Sequence, residues 1–326
     1  MYLNYKNQQI PINDGQSVLE ALEQSGFSVP NSCRKGVCQS CLLQTDGVVP
    51  VFSQQGLRRL QVERGGFLAC CCYPEQPLSI TDAQATEQLT GVVVDKQVLV
   101  SGDQARADIV AIRLETDAKW RAGQYVDICY DEHTVRPYSI ASRYDNAQLI
   151  ELHIKRHAQG KVSRWLCDEV EVNHVLSFSL PKGDCCYTDN APRSPLLMVA
   201  TGTGLAPLYG ILQEALFQQH SGRIDFYHAA SDANGLYYKE KLAQLAGQYS
   251  NLHIHSVVKH DSGIEEKYLI GDVVDVVKQR HPEMQGYQVF LCGAPTMVNT
   301  LRRACFFQGA AMTHIHTDAF DTAPMS

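Results

Sequence analysis

The feature that most constrains this chain is the spacing of its cysteines. Cys33, Cys38 and Cys41 stand in one short loop as C-x4-C-x2-C, with Gly36 between the first two, and a block Cys70-Cys71-Cys72 follows. These are six of twelve cysteines. The start of the chain has no basic stretch leading into an apolar run, so no secretory signal is expected. No apolar run approaches the ~20 residues of a membrane helix. The expected setting is therefore cytoplasmic, where disulfides are scarce and clustered thiols mean metal or redox chemistry. Structural zinc favours two C-x2-C-like pairs. Three ligands unevenly spaced in one loop, with a fourth cysteine later, fit better the four thiolates of a [2Fe–2S] cluster. Gly36 permits positive φ, so loop amides can turn toward the sulfurs.

At 326 residues, with 44% hydrophobic and 19% charged residues, the chain has room for two or three domains with cores of their own. Its net charge of −7 is spread along the chain. No segment is basic enough for nucleic acid. Short strands are expected at residues 2–5 and 9–12, then a helix at 18–24 with a Ser17/Glu20 capping box, stopped by Gly26. A strand pair is expected from residues 42–43 and 48–51 about Asp46-Gly47. Residues 81–88 read as a linker. Short strands at 91–94, 98–101, 108–114, 124–128 and 149–154, with one helix at 162–168, indicate an antiparallel barrel. After a second linker at 191–195, strands and helices alternate, which indicates a parallel α/β sheet.

Within the barrel, Arg136-Pro137-Tyr138-Ser139 offers a planar fork for phosphate, a ring that can lie flat on an aromatic system, and a hydroxyl for a ring nitrogen. His153-Ile154-Lys155 follows on a strand. Gly160-Lys161-Val162-Ser163 opens the helix, where free amides can meet a pyrophosphate. In the last segment an apolar strand runs into Thr201-Gly202-Thr203-Gly204-Leu205-Ala206-Pro207, a second phosphate cradle. Asp232 is free to accept from a ribose hydroxyl, and no Arg or Lys stands within residues 228–235. Cys292-Gly293-Ala294-Pro295-Thr296-Met297 forms another strand–turn–helix. Scattered histidines, among them His253, His255, His314 and His316, read as packed or solvated positions on alternating strands.

Residues 1–85 resemble the [2Fe–2S] ferredoxins. That resemblance selects Cys70 as the fourth ligand, through Leu68-Ala69-Cys70 and Pro74. The remaining motifs, with Gly123-Gln124-Tyr125, resemble the ferredoxin–NADP reductase superfamily. They imply phosphate binding by Arg136, stacking of Tyr138 on the flavin, and Ser139 facing its reactive nitrogen. Lys155 and the run from Lys161 to Ser163 would line the pyrophosphate. Cys292 would lie close to the hydride path or be an inert small core residue. Phe320 would cover the flavin or pack under the last strand. The Gly-x-x-Ser helix start and the N-terminal ferredoxin segment select FAD over FMN.

The expected organisation is an α+β β-grasp [2Fe–2S] ferredoxin domain (1–85), an antiparallel β-barrel FAD domain (88–190) and an α/β parallel-sheet NAD(P)H domain (194–326). The arrangement resembles the reductase components of bacterial multicomponent oxygenases. It implies NADH as donor and a redox protein, an oxygenase component, as partner. A stand-alone reductase of a small-molecule acceptor and a redox sensor without turnover are the alternatives.

Overall fold

Three sheets in succession organise the chain. The computed structural model describes residues 1–31, 33–36, 39–57, 59–82, 88–101, 107–131, 134–188, 191–260 and 268–320. Cys38, one of the four expected cluster ligands, lies outside the described residues. Among the described residues no helix is long and apolar enough to cross a membrane.

The first unit contains β1 (Tyr2–Tyr5), β2 (Gln8–Pro11), α1 (Val18–Gln24), β3 (Leu42–Thr45), α2 (Arg59–Glu63), β4 (Gly66–Leu68) and β5 (Leu78–Asp82). Its mixed sheet runs β2-β1-β5-β3-β4, with β1 and β5 parallel. Helix α1 begins with the expected capping box: the Ser17 amide donates to the Glu20 carboxylate at 2.9 Å, and the Glu20 amide donates to Ser17 Oγ at 3.3 Å. The buried side of α1, Val18, Leu19, Ala21 and Leu22, joins Leu3, Ile10 and Phe67 in one core. The strand expected at 48–51 does not form. Pro50 leads into a 3-10 turn at Val51–Gln54, and β3 pairs instead with β4 and β5.

The second unit is an antiparallel six-stranded sheet of β6 (Gln88–Ser101), β7 (Ala107–Glu115), β8 (Tyr125–Cys129), β9 (Val135–Ser139), β10 (Leu149–Lys155) and β11 (Val175–Ser179), ordered β10-β7-β6-β11-β8-β9. A bridge from Ile140 to Leu152 closes it into a barrel. The two strands expected at 91–94 and 98–101 are one continuous β6, whose register slips at bulges past Val93 and Val98. Helix α3 (Lys161–Asp168) covers one side of the barrel core, through Val162 and Leu166.

The third unit has β12 (Leu196–Thr201), α4 (Leu205–Phe217), β13 (Ile224–Ala230), α5 (Lys239–Gln248), β14 (Leu252–Val258), β15 (Leu269–Ile270), α6 (Val273–Arg280), β16 (Gln288–Gly293), α7 (Pro295–Phe307) and β17 (Ile315–Ala319). Its sheet is parallel throughout, in the order β15-β14-β13-β12-β16-β17. Separate apolar clusters cover its two faces, as a buried parallel sheet requires.

A buried carboxylate fastens this unit to the barrel. Glu151 on β10 accepts from Arg113 Nε at 2.7 Å, from His153 Nε2 at 3.0 Å and from the Tyr238 hydroxyl at 2.7 Å. With Nε2 donating, His153 Nδ1 accepts from the Tyr237 hydroxyl at 3.0 Å. Burial alone would push the Glu151 carboxyl up, but its hydrogen bonds from His153, Arg113 and Tyr238 outweigh that and hold it well below the usual range. Tyr238 pays a backbone penalty to reach it, at φ 59°, a left-handed conformation that costs a non-glycine residue about 1–2 kcal/mol. Tyr238→Phe is expected to destabilise the docked pair by about 1.5–3 kcal/mol, the worth of a hydrogen bond to a charged group. Because folding depresses the Glu151 pKa, its contribution is fully present above the ordinary carboxylate range and disappears only as pH falls through the much lower folded-state value. Thermal melts of wild type and variant at pH 7 and pH 4 check both: the gap between them should persist at pH 4, where native Glu151 is still ionised.

Candidate functional site

Two close approaches of backbone shape the edge of the third sheet. Strand β12 ends in Thr201 and turns through Gly202, at φ 54°, into α4. A Cβ on Gly204 would stand 2.2 Å from the carbonyl oxygen of Cys292, and one on Gly293 would stand 2.3 Å from Thr201 Oγ1. That hydroxyl accepts from the Ala294 amide at 2.9 Å. The turn after β12 and the turn after β16 are therefore interlocked. The start of α4 carries no side-chain cap, and an uncapped helix start after a glycine turn suits a pyrophosphate.

The barrel meets this edge through β9. Ser139 Oγ donates to Asp318 Oδ2 on β17 at 3.0 Å. Asp318 is paired in register with Cys292, and Ala319 with Gly293. The Phe320 amide donates to the Gly293 carbonyl at 2.8 Å, which fixes the half-buried Phe320 beside the same turn. Ser139, Cys292 and Phe320 thus fall around one point. Asp318 joins them, although no motif marked it. Its signal in the sequence was faint: one acidic residue inside a terminal strand. Burial pushes its carboxyl up to about 6, with the Ser139 hydroxyl acting in the opposite sense. Cys292 is fully buried, among Leu205, Leu208 and Cys185. Burial, then the hydrogen bond with Cys185, keep it a thiol far above its ordinary range. The core reading of Cys292 therefore describes its side chain, while its carbonyl lines the turn.

At the other end of β9, Arg136 Nη1 donates to the Val135 carbonyl at 2.7 Å and to the Asn31 carbonyl at 3.3 Å. Asn31 opens the cysteine loop, so Arg136 ties the first unit to the flavin strand. Pro137 and Tyr138 are half-buried beside it. At the start of α3, Ser163 Oγ accepts from the His157 amide at 3.2 Å and donates to the Gly160 carbonyl at 3.4 Å. A Cβ on Gly160 would stand 2.4 Å from Ser163 Oγ. Lys161 pairs with Asp131 at 2.8 Å, and Lys155 is exposed at the end of β10.

Several of the expected site side chains are engaged within the fold itself. His153 was expected among the flavin contacts, but both ring nitrogens are taken by Glu151 and Tyr237, so its side chain belongs to the interdomain clamp. Ile154 and Val162 are core side chains of the barrel. Leu205, Ala206, Pro207 and Met297 are buried in the third unit, and Thr203 and Pro295 are half-buried. Asp232 is exposed and accepts from the Asn234 and Gly235 amides at 2.9 and 3.3 Å through one oxygen.

The cysteine loop is tightly wound. Arg34, Gly36 and Gln39 all have positive φ, at 54°, 77° and 58°. The Lys35 amide donates to Cys33 Sγ at 3.4 Å, the kind of backbone bond that stabilises a thiolate. Cys33, Cys41 and Cys70 are nearly buried. Buried thiols and an amide turned toward sulfur in this loop suit a [2Fe–2S] cluster, although among the described residues no three ligands stand together as a metal site. The aromatic, phosphate-binding and capless-helix groups along β9, α3 and α4 fit a flavin dinucleotide and a nicotinamide dinucleotide.

Known proteins divide the chain in the same way. Residues 1–75 match the 2Fe-2S iron–sulfur cluster binding domain, 91–187 the oxidoreductase FAD-binding domain, and 198–303 the oxidoreductase NAD-binding domain. Together they account for most of the chain. It belongs to the ferredoxin-fused FAD/NAD(P)H oxidoreductases. The reductase component of a Pseudomonas putida naphthalene 1,2-dioxygenase system is 29% identical over 319 residues, covering 96% of each chain. The reductase subunit of an Amycolatopsis aromatic O-demethylase is 28% identical, covering 97% of each. A crystal structure of an Amycolatopsis cytochrome P450 reductase superposes with a TM-score of 0.68 at 25% identity over 98% of both chains. This ferredoxin-fused oxidoreductase carries a [2Fe–2S] cluster, FAD and NADH as its cofactors, and moves electrons from NADH through the flavin to the cluster.

Two outcomes are expected of this oxidoreductase. Because folding raises the Asp318 pKa from 3.8 to about 6, the native state holds its proton more tightly across that window, and stability falls as pH rises through it. Above about 6 the carboxylate accepts from Ser139. Asp318→Asn should slow NADH–ferricyanide turnover roughly ten- to hundredfold at pH 7.5, the loss of one charge-assisted hydrogen bond. It should also remove an inflection near pH 6 from the rate profile. NADH should be preferred to NADPH, since residues 228–235 offer no cation to a 2′-phosphate. Steady-state kcat/KM for the two nucleotides measures this, and equal values would refute it.

Proposed function

We propose that this chain is the NADH-dependent reductase of an oxygenase system, delivering single electrons to an oxygenase component through its ferredoxin unit. The observation that carries the proposal is the reach of β9: Arg136 at one end touches the cysteine loop, and Ser139 at the other touches the nicotinamide unit. Relatives of the same length and organisation, from the naphthalene dioxygenase and aromatic O-demethylase systems, support the choice of partner. The 3-10 turn that carries the exposed Val51 and Phe52 borders the segment carrying Cys70, and these exposed apolar side chains suit a protein acceptor better than a small molecule. The proposed domain boundaries are 1–85, 88–190 and 194–326.

When bound, the nicotinamide supplies a hydride, the flavin accepts two electrons and can release them singly, and the cluster carries one. The chain's own contribution is placement. Gly202 and Gly204 bring the start of α4 close enough for its amides to hold the dinucleotide phosphates. Ser139, held by Asp318, would face the flavin, and Phe320 would lie on the same side. Arg136, already on the Asn31 carbonyl, would also serve a flavin phosphate. Tyr138, whose phenol burial pushes up, stays neutral and would offer its ring. Cys33, Cys38, Cys41 and Cys70 would hold the cluster.

The test separates the entry of electrons from their exit. In Cys41→Ser, NADH oxidation by ferricyanide should remain within about threefold of wild type, because the hydride site owes nothing to the cysteine loop. Reduction of the oxygenase component, or of cytochrome c as a surrogate, should fall at least about tenfold, the equivalent of ~1.4 kcal/mol in barrier. Full-rate delivery to the partner by this variant would overturn the proposal.

A further inference from the structure

Three consecutive cysteines in this fold point two ways. Cys72 turns away from the loop. It is fully buried next to Ser53, and burial pushes its thiol up to about 12. Cys70 and Cys71 instead hold their sulfurs 3.6 Å apart, 7% and 5% exposed. Both lie in the 3-10 turn at Ala69–Cys71. Cys71 Sγ also reaches the cysteine loop itself: a Cβ on Gly36 would stand 2.8 Å from it. Gly36 therefore leaves open the place that the Cys71 sulfur fills, between the first two cysteines of the loop.

The separation has a chemical meaning. Two thiolates sharing one tetrahedral metal, each about 2.3 Å from it, lie roughly 3.8 Å apart. Cys70 and Cys71 already have close to that spacing. We propose that the fourth ligand position is doubly provided, with Cys71 as a reserve cluster ligand beside Cys70. While Cys70 holds the iron, the Cys71 thiol donates its S–H to the Cys70 sulfur. When Cys70 is lost, Cys71 binds in its place: the Cys71 S–H proton passes to solvent, one Fe–S bond forms where the Cys70 bond was, and no electron is transferred. This rests on the ligand set proposed above.

The experiment uses the full-length chain, prepared anaerobically as wild type, Cys70→Ala, Cys71→Ala and the double variant. Iron, acid-labile sulfide and the electron paramagnetic resonance of the dithionite-reduced protein are measured, with flavin content and far-ultraviolet circular dichroism as controls of folding. Cys70→Ala should retain at least about half the wild-type cluster with a four-thiolate signal, and the double variant less than about a tenth. A Cys70→Ala protein as empty as the double variant overturns the proposal. So does a Cys71→Ala protein that is empty beside a full Cys70→Ala one, since Cys71 would then be the ordinary ligand. Wild type without iron would instead sink the ligand set itself. Should Cys70→Ala fail to fold, Cys71→Ala decides: losing the S–H donor should lower the cluster's reduction potential, and an unchanged potential and spectrum count against the proposal.

Discussion

The buried carboxylate of Glu151 is the interaction on which the geometry between the flavin barrel and the nicotinamide unit depends. An ion taken out of water is costly unless its lone pairs are met, and here three donors from two units meet them. Two of the donors come from the barrel and one from the nicotinamide unit, so the carboxylate is satisfied only when the two are docked. Tyr238 keeps a strained backbone for the sake of this contact. Lys241 lies 3.6 Å from the centre of the Tyr238 ring and adds a cation–π contact on the same side. The clamp sits on β10, and β10 joins β9 through the closing bridge of the barrel. Fixing β10 on the nicotinamide unit therefore fixes β9, and with it the Ser139–Asp318 contact.

Two carboxylates, Glu151 buried and Asp318 half-buried, sit at this interface, and their surroundings drive them in opposite directions. Glu151 has three donors, two of them on side chains able to carry positive charge, so it stays ionised. Asp318 has one neutral donor, Ser139, and burial prevails. The first is suited to holding structure at any physiological pH. The second changes its proton occupancy close to neutrality, at the point where barrel strand and terminal strand touch. That division of roles matches what pKa perturbation by environment allows: permanent charge where it is fully solvated by protein donors, and titration where it is not.

What could be read from the sequence was local. The cysteine loop, the Ser17–Glu20 capping box and the glycine turn after β12 declare themselves because their residues are contiguous and their chemistry demands particular side chains. Strand β11 escaped notice because its burial comes from barrel closure, and the five residues Val175–Ser179 carry little alternation of their own. The expected strand at 48–51 failed because two valines there are highly exposed: β-branched composition without a face to pack on is not a strand. His153 was misread for the converse reason. Its partners, Tyr237 and Glu151, stand 84 and 2 residues away, and the distant one decides what the ring does. Asp318 became a site residue only through Ser139, 179 residues earlier.

The dinucleotide cradle is made largely of backbone, and this explains why a motif could mark it without naming its chemistry. At Gly204 and Gly293 the excluded Cβ would collide with a carbonyl and a hydroxyl of the facing turn, so glycine is required by the interlocking of the two turns before any ligand arrives. The neighbouring Leu205, Ala206, Pro207 and Met297 contribute buried side chains to the core and only their main chain to the cradle. A site of this kind binds phosphate through amides that cannot be mutated away individually. Discrimination between ligands must then come from the few side chains that stand clear of the core. In the proposed site these would be Asp232 and Thr203 on the nucleotide side, and Arg136, Tyr138 and Ser139 on the flavin side.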